Sequence, residues 1–336
     1  MRRALVIGAT GFIGLNVVDA LQARGVSVRA TWRKKSITVF AQKRNPEWCL
    51  AELDDTVALE EAMRGCDVVF FAGGHYPRYS LDRRASIERG RADVRAVCTA
   101  AMHADVPRVV YTSSIGTLDG SVAGPVNADD RTVDPPRESV YRATKWAMEE
   151  EVDFALARGL DVVTVLPGAC LGPWDVRLGT TGVLVALLNG ALPWWVDGIV
   201  NVADVRDVAA VHVAAAEVAP RGARYAFGGV TTTMRAYFRG FGEAMGVRFP
   251  PEEPTVKGGI RARTRRKRPQ RPAVAGCDAR AELVDLSRAP RGLVAGGAEL
   301  VVVCVSQMTL EDARQCGSSA CVASRGRRQR TVAQRG

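Results

Sequence analysis

Six runs of apolar and β-branched residues alternate with amphipathic stretches through the first half of the chain, and few folds accept that order. The runs cover residues 4–8, 26–31, 48–53, 67–72, 108–112 and 161–166, each of strand length. Between them, residues 12–24, 56–64, 84–104 and 138–158 repeat apolar side chains at helical spacing. A continuously apolar strand must be covered on both faces, and each right-handed crossover lays a helix on one of them. The pattern predicts an α/β fold built on a doubly wound parallel sheet over residues 1–166. From 167 the alternation loosens, with a helix predicted at 204–218, a strand at 224–227 and a helix at 232–245. Residues 167–249 are expected to form a smaller lobe, interleaved with the sheet, that completes a pocket at the carboxyl edge of the strands.

The formal charge of +10 raises nucleic acid or an anionic membrane as a partner only until the charge is located. Residues 1–260 hold 30 basic and 30 acidic side chains, whereas 261–336 hold 16 and 6. The body is neutral, so a small molecule rather than nucleic acid is its expected partner. No apolar run reaches the ~20 residues that span a bilayer, and a strand begins at Ala4, too early for a secretory leader. Eight cysteines without a C-x-x-C pair read as reduced thiols, and a cytoplasmic location is expected. Three scattered histidines supply no metal set; His103 and His212 read as surface or core residues.

The first strand runs into Gly8-Ala9-Thr10-Gly11-Phe12-Ile13-Gly14, and a helix follows at once. Glycines there permit a tight turn and close backbone approach to a pyrophosphate, while the helix start offers unpaired N–H groups and partial positive charge. Such a junction predicts a dinucleotide cradle formed by Gly8, Thr10, Gly11, Phe12, Ile13 and Gly14. The second strand ends in Trp32-Arg33-Lys34-Lys35 with no carboxylate for ribose hydroxyls. Arg33 and Lys34 suit a 2′-phosphate, which favours NADP, with NAD as the alternative. Asp54 stands where an acid accepts a hydrogen bond from adenine or, equally, where the N-cap region of the following helix falls, and Ala72-Gly73 lets backbone lie against the dinucleotide.

Strand 108–112 leads into Ser113-Ser114, and 27 residues on comes Tyr141-Arg142-Ala143-Thr144-Lys145 at a helix start. Spacing of four stacks Tyr141 and Lys145 on one helical face. An ammonium beside a phenol favours the phenolate and draws its pKa toward neutrality, and a serine hydroxyl beside them can steady a substrate oxygen. Ser114, Tyr141 and Lys145 are the expected proton-handling group.

In these motifs the chain resembles the extended short-chain dehydrogenase/reductases. Gly8-x-x-Gly11-x-x-Gly14 is similar to that family's cofactor loop, Tyr111-Thr112-Ser113-Ser114-Ile115-Gly116 to its serine strand, and Tyr141-x-x-x-Lys145 to its catalytic helix. Leu166-Pro167-Gly168 and Gly172-Pro173 resemble its nicotinamide segment, and residues 202–209 its Asp-Val-Ala helix. The resemblance covers about residues 1–245 and implies a Rossmann-type fold. It also implies that Ser114 rather than Ser113 acts, that Lys145 holds the nicotinamide ribose, that Pro167 borders the cofactor, and that subunits pair through the Tyr141 helix. Thr-Ser-Ser-Ile-Gly is similar to dihydroflavonol and cinnamoyl reductases, whereas sugar dehydratases carry Asp-Glu where this chain has Ile115-Gly116. The implied activity is hydride transfer between nicotinamide and a carbonyl or alcohol. A nucleotide-sugar epimerase and a non-catalytic dinucleotide sensor are the alternatives.

His75, Tyr76 and Trp174, with Tyr79, Trp194 and Trp195, lie in loops expected to face the pocket and point to a moderately apolar substrate. Downstream of Phe249 the remaining 87 residues contain no Phe, Tyr or Trp, although the first 249 contain 21. Such a stretch lacks the side chains that build cores. Residues 250–336 are expected to be a basic tail, disordered or translated out of frame, and coding DNA with no aromatic, amphipathic alternative frame after residue 246 would refute the second reading.

Overall fold

The computed structural model describes residues 1–33, 44–77, 80–122, 124–189, 191 and 197–246; the tail over 250–336 lies outside them. Seven strands form the main sheet: β1 (Arg3–Ile7), β2 (Ser27–Trp32), β3 (Glu47–Leu50), β4 (Val68–Phe71), β5 (Val109–Thr112), β6 (Val162–Pro167) and β9 (Arg224–Phe227). Their order is β3-β2-β1-β4-β5-β6-β9, and every pair is parallel. The order turns back between β1 and β4, so the connections leaving these two strands run to opposite sides and open a crevice at their carboxyl ends.

Burial follows from composition. Every residue of β4, β5 and β6 is buried, because helices cover both faces. One core, centred on Leu5, Phe71, Tyr111 and Met148, lies under α2 (Thr56–Met63), α3 (Arg83–His103) and α4 (Val140–Ala157). The opposite core, centred on Val6, Leu21, Phe70 and Val163, lies under α1 (Phe12–Ala23) and α6 (Val205–Val218). Each large apolar side chain withdrawn from water in this way contributes about 1.5–3 kcal/mol. Helix starts sit where side chains can cap them: Asp55, Asp82 and Ser139 accept bonds from the amides of Ala58, Ala85 and Arg142. The Ser139 cap fixes Tyr141 in the first turn of α4.

A second sheet went unread in the sequence. It joins β10 (Val230–Thr233), β8 (Ile199–Asp204) and β7 (Ala169–Leu171), and with α5 (Gly182–Leu188) and α7 (Met234–Met245) it forms the smaller lobe. Phe238 and Phe241 of α7 pack on Leu184 and Leu187 of α5. The helix expected at 232–245 begins two residues later, because Thr232 and Thr233 pair with β8 and Thr233 caps α7. β9, from the segment assigned to the lobe, closes the main sheet beside β6, so the two parts are interleaved. Among the described residues no helix is long and apolar enough to cross a membrane.

Candidate active site

A cavity of about 1050 Å³ runs along the carboxyl edge of the main sheet. Gly8, Thr10, Gly11, Phe12 and Ile13 line it at the junction of β1 and α1, with Ala72 and Gly73 opposite. Here only glycine fits. Gly8 has φ +86°, and a Cβ on it would stand 2.6 Å from the Gly73 nitrogen. A Cβ on Gly14 would stand 2.2 Å from the Gly8 oxygen, so Gly14 packs the turn against its helix from behind and is not in the cavity wall. Gly11 caps α1 without a side-chain bond, leaving the amides of the first turn turned to the cavity. This cradle fits a dinucleotide pyrophosphate.

At the end of the cavity beside β2 and β3 the wall is Thr31, Trp32, Arg33, Ala51 and Leu53. Lys34 lies outside the described residues. Asp54 is exposed and absent from the wall, because the chain after β3 turns Ala51 and Leu53 inward; its neighbour Asp55 caps α2.

Tyr141, Lys145 and Pro167 face the cavity's other end. The Ser114 hydroxyl stands beside the Tyr141 ring next to Gly116, acts on its phenol and accepts from the Gly116 amide at 3.1 Å, but it is Ser113 and not Ser114 that reaches the cavity wall. The Lys145 ammonium donates to the Thr112 carbonyl at 3.0 Å and lies 5.5 Å from the centre of the Tyr111 ring. Burial raises the Tyr141 pKa well above its usual value, with the Ser114 bond opposing and Tyr76 and Cys170 adding to the rise. Burial lowers Lys145 from 10.5 to about 8, opposed by the Glu149 carboxylate. The expectation that Lys145 draws the phenol toward neutrality is therefore corrected: both groups are desolvated, and each is pushed toward its neutral form.

His75 and Tyr76 line the cavity, and the Tyr76 ring lies 4.9 Å from that of Tyr141, tilted by 59°. Trp174 does not. Its backbone sits at φ +77°, and the Arg44 guanidinium lies 4.6 Å over its ring, so it braces the loop after β7 against the loop before β3. Tyr79, Trp194 and Trp195 lie outside the described residues. The wall holds polar residues that sequence reasoning missed: Arg89 and Asp93 on α3, joined at 2.9 Å, and Asp175 and Arg177 after β7. Asp93 is only 5% exposed, and a buried acid facing inward from a helix is indistinguishable by spacing from a surface one. The wall is therefore mixed, with charged side chains beside the aromatic ones. His103 is on the surface with Glu60, while His212 is buried, 2.8 Å from the Thr112 hydroxyl. No cluster of three or more potential metal ligands occurs among the described residues.

Residues 4–228 match the model of the NAD dependent epimerase/dehydratase family. The chain belongs to this family. Within the family it is an extended short-chain dehydrogenase/reductase with reductases among its relatives. It is 33% identical over 231 residues to a Synechocystis protein that carries the name dihydroflavonol 4-reductase, an alignment covering 66% of each chain. To cinnamoyl-CoA reductase 1 of Petunia hybrida it is 30% identical over 241 residues, covering 66% of this chain and 70% of that one. The chain thus spans about two thirds of the length of the relatives it matches. The crystal structure of a nucleoside-diphosphate-sugar epimerase from Pseudomonas aeruginosa superposes with a TM-score of 0.68 at 28% identity, over 75% of this chain and 80% of that one. Members of this epimerase/dehydratase family bind NAD(P), in agreement with the glycine cradle described above.

Proposed function

We propose that the protein is an NADP-dependent oxidoreductase that interconverts a carbonyl and an alcohol through Ser114, Tyr141 and Lys145. The observation that carries this reading is that Tyr141 and Lys145 line the same cavity as the glycine cradle, with the Ser114 hydroxyl just behind them close enough to act on the phenol. Gly8, Thr10, Gly11, Phe12, Ile13, Ala72 and Gly73 would hold the dinucleotide and Arg33 its 2′-phosphate, with Pro167 beside the nicotinamide. Bound NADPH supplies the hydride. Burial keeps the Tyr141 phenol protonated, the form that gives a proton to the oxygen of the reduced substrate. Ser114 donates a hydrogen bond to that oxygen as negative charge develops on it. Lys145, one turn further along α4 and tied to Thr112, would supply the positive charge that stabilises the phenolate left behind. His75 and Tyr76 border the substrate.

A second reading is a nucleotide-sugar epimerase, supported by the arginines and acids in the wall and by likeness to the Pseudomonas enzyme. Assay of the full chain with NADPH against a panel of aromatic and aliphatic ketones and aldehydes separates the two. Stoichiometric loss of NADPH absorbance with alcohol formation supports the reductase. Turnover of a nucleotide sugar without net cofactor change would overturn it in favour of the epimerase.

A further inference from the structure

Helix α4 carries a third polar residue on the face of Tyr141 and Lys145. Glu149 follows Lys145 by four positions, one turn further along, and is 1% exposed. An unpaired carboxylate at such depth costs several kcal/mol, so its partners decide whether it is tolerated. They come from three segments. Its Oε1 accepts from the Thr117 hydroxyl at 2.8 Å and from the Ser113 hydroxyl. Its Oε2 lies 2.9 Å from the Arg224 Nη1 on β9 and 3.5 Å from the Arg131 Nε. Arg131 is shared with Asp153, and Arg224 also donates to the Ala128 carbonyl.

Those contacts matter for the proton-handling group because of what they hold. Ser113 and Thr117 flank the turn that presents Ser114, and the Thr117 hydroxyl also binds the Ser114 carbonyl at 3.0 Å. Lys145 faces Tyr111 from β5, with Tyr141 and Glu149 from its own helix, while Asp93 of α3 lines the same cavity but is paired with Arg89. Glu149 thus stands one turn along α4 from the buried ammonium, where its charge favours the protonated form. Arg131 and Arg224 stand on its far side and temper its charge.

On the oxidoreductase reading above, we propose that Glu149 is a positioning residue: its carboxylate, one turn from Lys145 on the same face of α4, anchors the Ser113–Thr117 turn that presents Ser114 and sets negative charge beside the buried ammonium. A role in stability alone would not require its charge to be felt at Lys145. The arrangement also predicts opposite effects from its two sides, since removing Glu149 leaves two cations near Lys145, whereas removing Arg224 leaves the carboxylate less compensated.

The test is a pH titration of full-length protein labelled with 13C-lysine, read by NMR, with the Lys145 signal identified by its loss in Lys145→Met. Wild type is expected to titrate near pH 8. Glu149→Gln, close in shape, should move the midpoint down by about one pH unit, and Arg224→Gln should move it up. Should Glu149→Gln fail to fold, Arg224→Gln still decides: an unchanged or lowered midpoint overturns the proposal. An unchanged midpoint in folded Glu149→Gln does so as well. The readout needs no turnover. Full activity in Tyr141→Phe would therefore remove the oxidoreductase reading without touching the Glu149–Lys145 coupling, and an unmoved titration would remove the coupling without touching that reading.

Discussion

The Lys145 ammonium is bonded to the carbonyl of Thr112, 3.0 Å away, across the seam between α4 and β5. One bond thus joins the helix that carries Tyr141 to the strand that leads to Ser114, and it does so where little of the lysine is exposed. Burial there pulls Lys145 down to about 8 from an ordinary 10.5. Between these values the unfolded chain binds the proton and the folded chain releases it, so stability from this group rises with pH through that window. Relative to Lys145→Met, wild type should gain about 3 kcal/mol between pH 8 and 10.5, measured by urea unfolding.

His212 gives the same sign at the acid end. It is buried between the Thr112 hydroxyl and the Val208 carbonyl, and burial lowers its pKa from 6.5 to about 4. The unfolded chain takes up a proton at 6.5 that the folded chain refuses, so stability falls as pH drops from 6.5 toward 4. His212→Gln should remove about 3 kcal/mol of that acid sensitivity, seen as convergence of the wild-type and variant melting curves on acidification.

The glycine cradle makes a steric prediction. In Gly14→Ala the new methyl meets the Gly8 carbonyl at 2.2 Å, and backbone must move. Overpacking of this kind costs about 1–3 kcal/mol. A fall in melting temperature with weakened NADPH binding is expected, whereas Gly120→Ala, with nothing within 4 Å, should leave both unchanged. Tryptophan quenching by NADPH reads the second effect.

Much of this was legible in the sequence, for physical reasons that differ by residue. The strands of the main sheet lie within a few residues of their predicted bounds because parallel strands covered on both faces must be apolar throughout, as Val68–Phe71 is. The Gly8 and Gly14 positions were readable because only glycine tolerates the contact. The small sheet was not, since Ile199–Asp204 and Val230–Thr233 are half-exposed and mix polar with apolar residues without alternation. Glu149 stands in a Glu149-Glu150-Glu151 run that reads as a solvated face, and nothing local reveals that Arg224, 75 residues on, is brought to it. Trp174 was misread because its orientation follows from the left-handed backbone and from Arg44. The electrostatics of Tyr141 were misjudged for a related reason: spacing reveals the neighbour, whereas depth of burial is a property of the assembled fold.

On the proposed reading, cofactor preference would turn on Arg33, which lines the cavity beside the end of β2. Charge-assisted bonds to a phosphate contribute about 1.5–3 kcal/mol, so Arg33→Asp should weaken NADPH binding by about tenfold or more while changing NADH binding little. Equal loss for both cofactors in fluorescence titrations would remove the NADP assignment.

The most direct measurement is the single-turnover rate of Tyr141→Phe with NADPH and a carbonyl substrate that wild type reduces. The variant keeps the ring against Tyr76 and loses only the hydroxyl that pairs with Ser114. If Tyr141 supplies the proton, NADPH should bind nearly as well while its oxidation slows by about 100-fold or more. Oxidation at the wild-type rate would contradict the account.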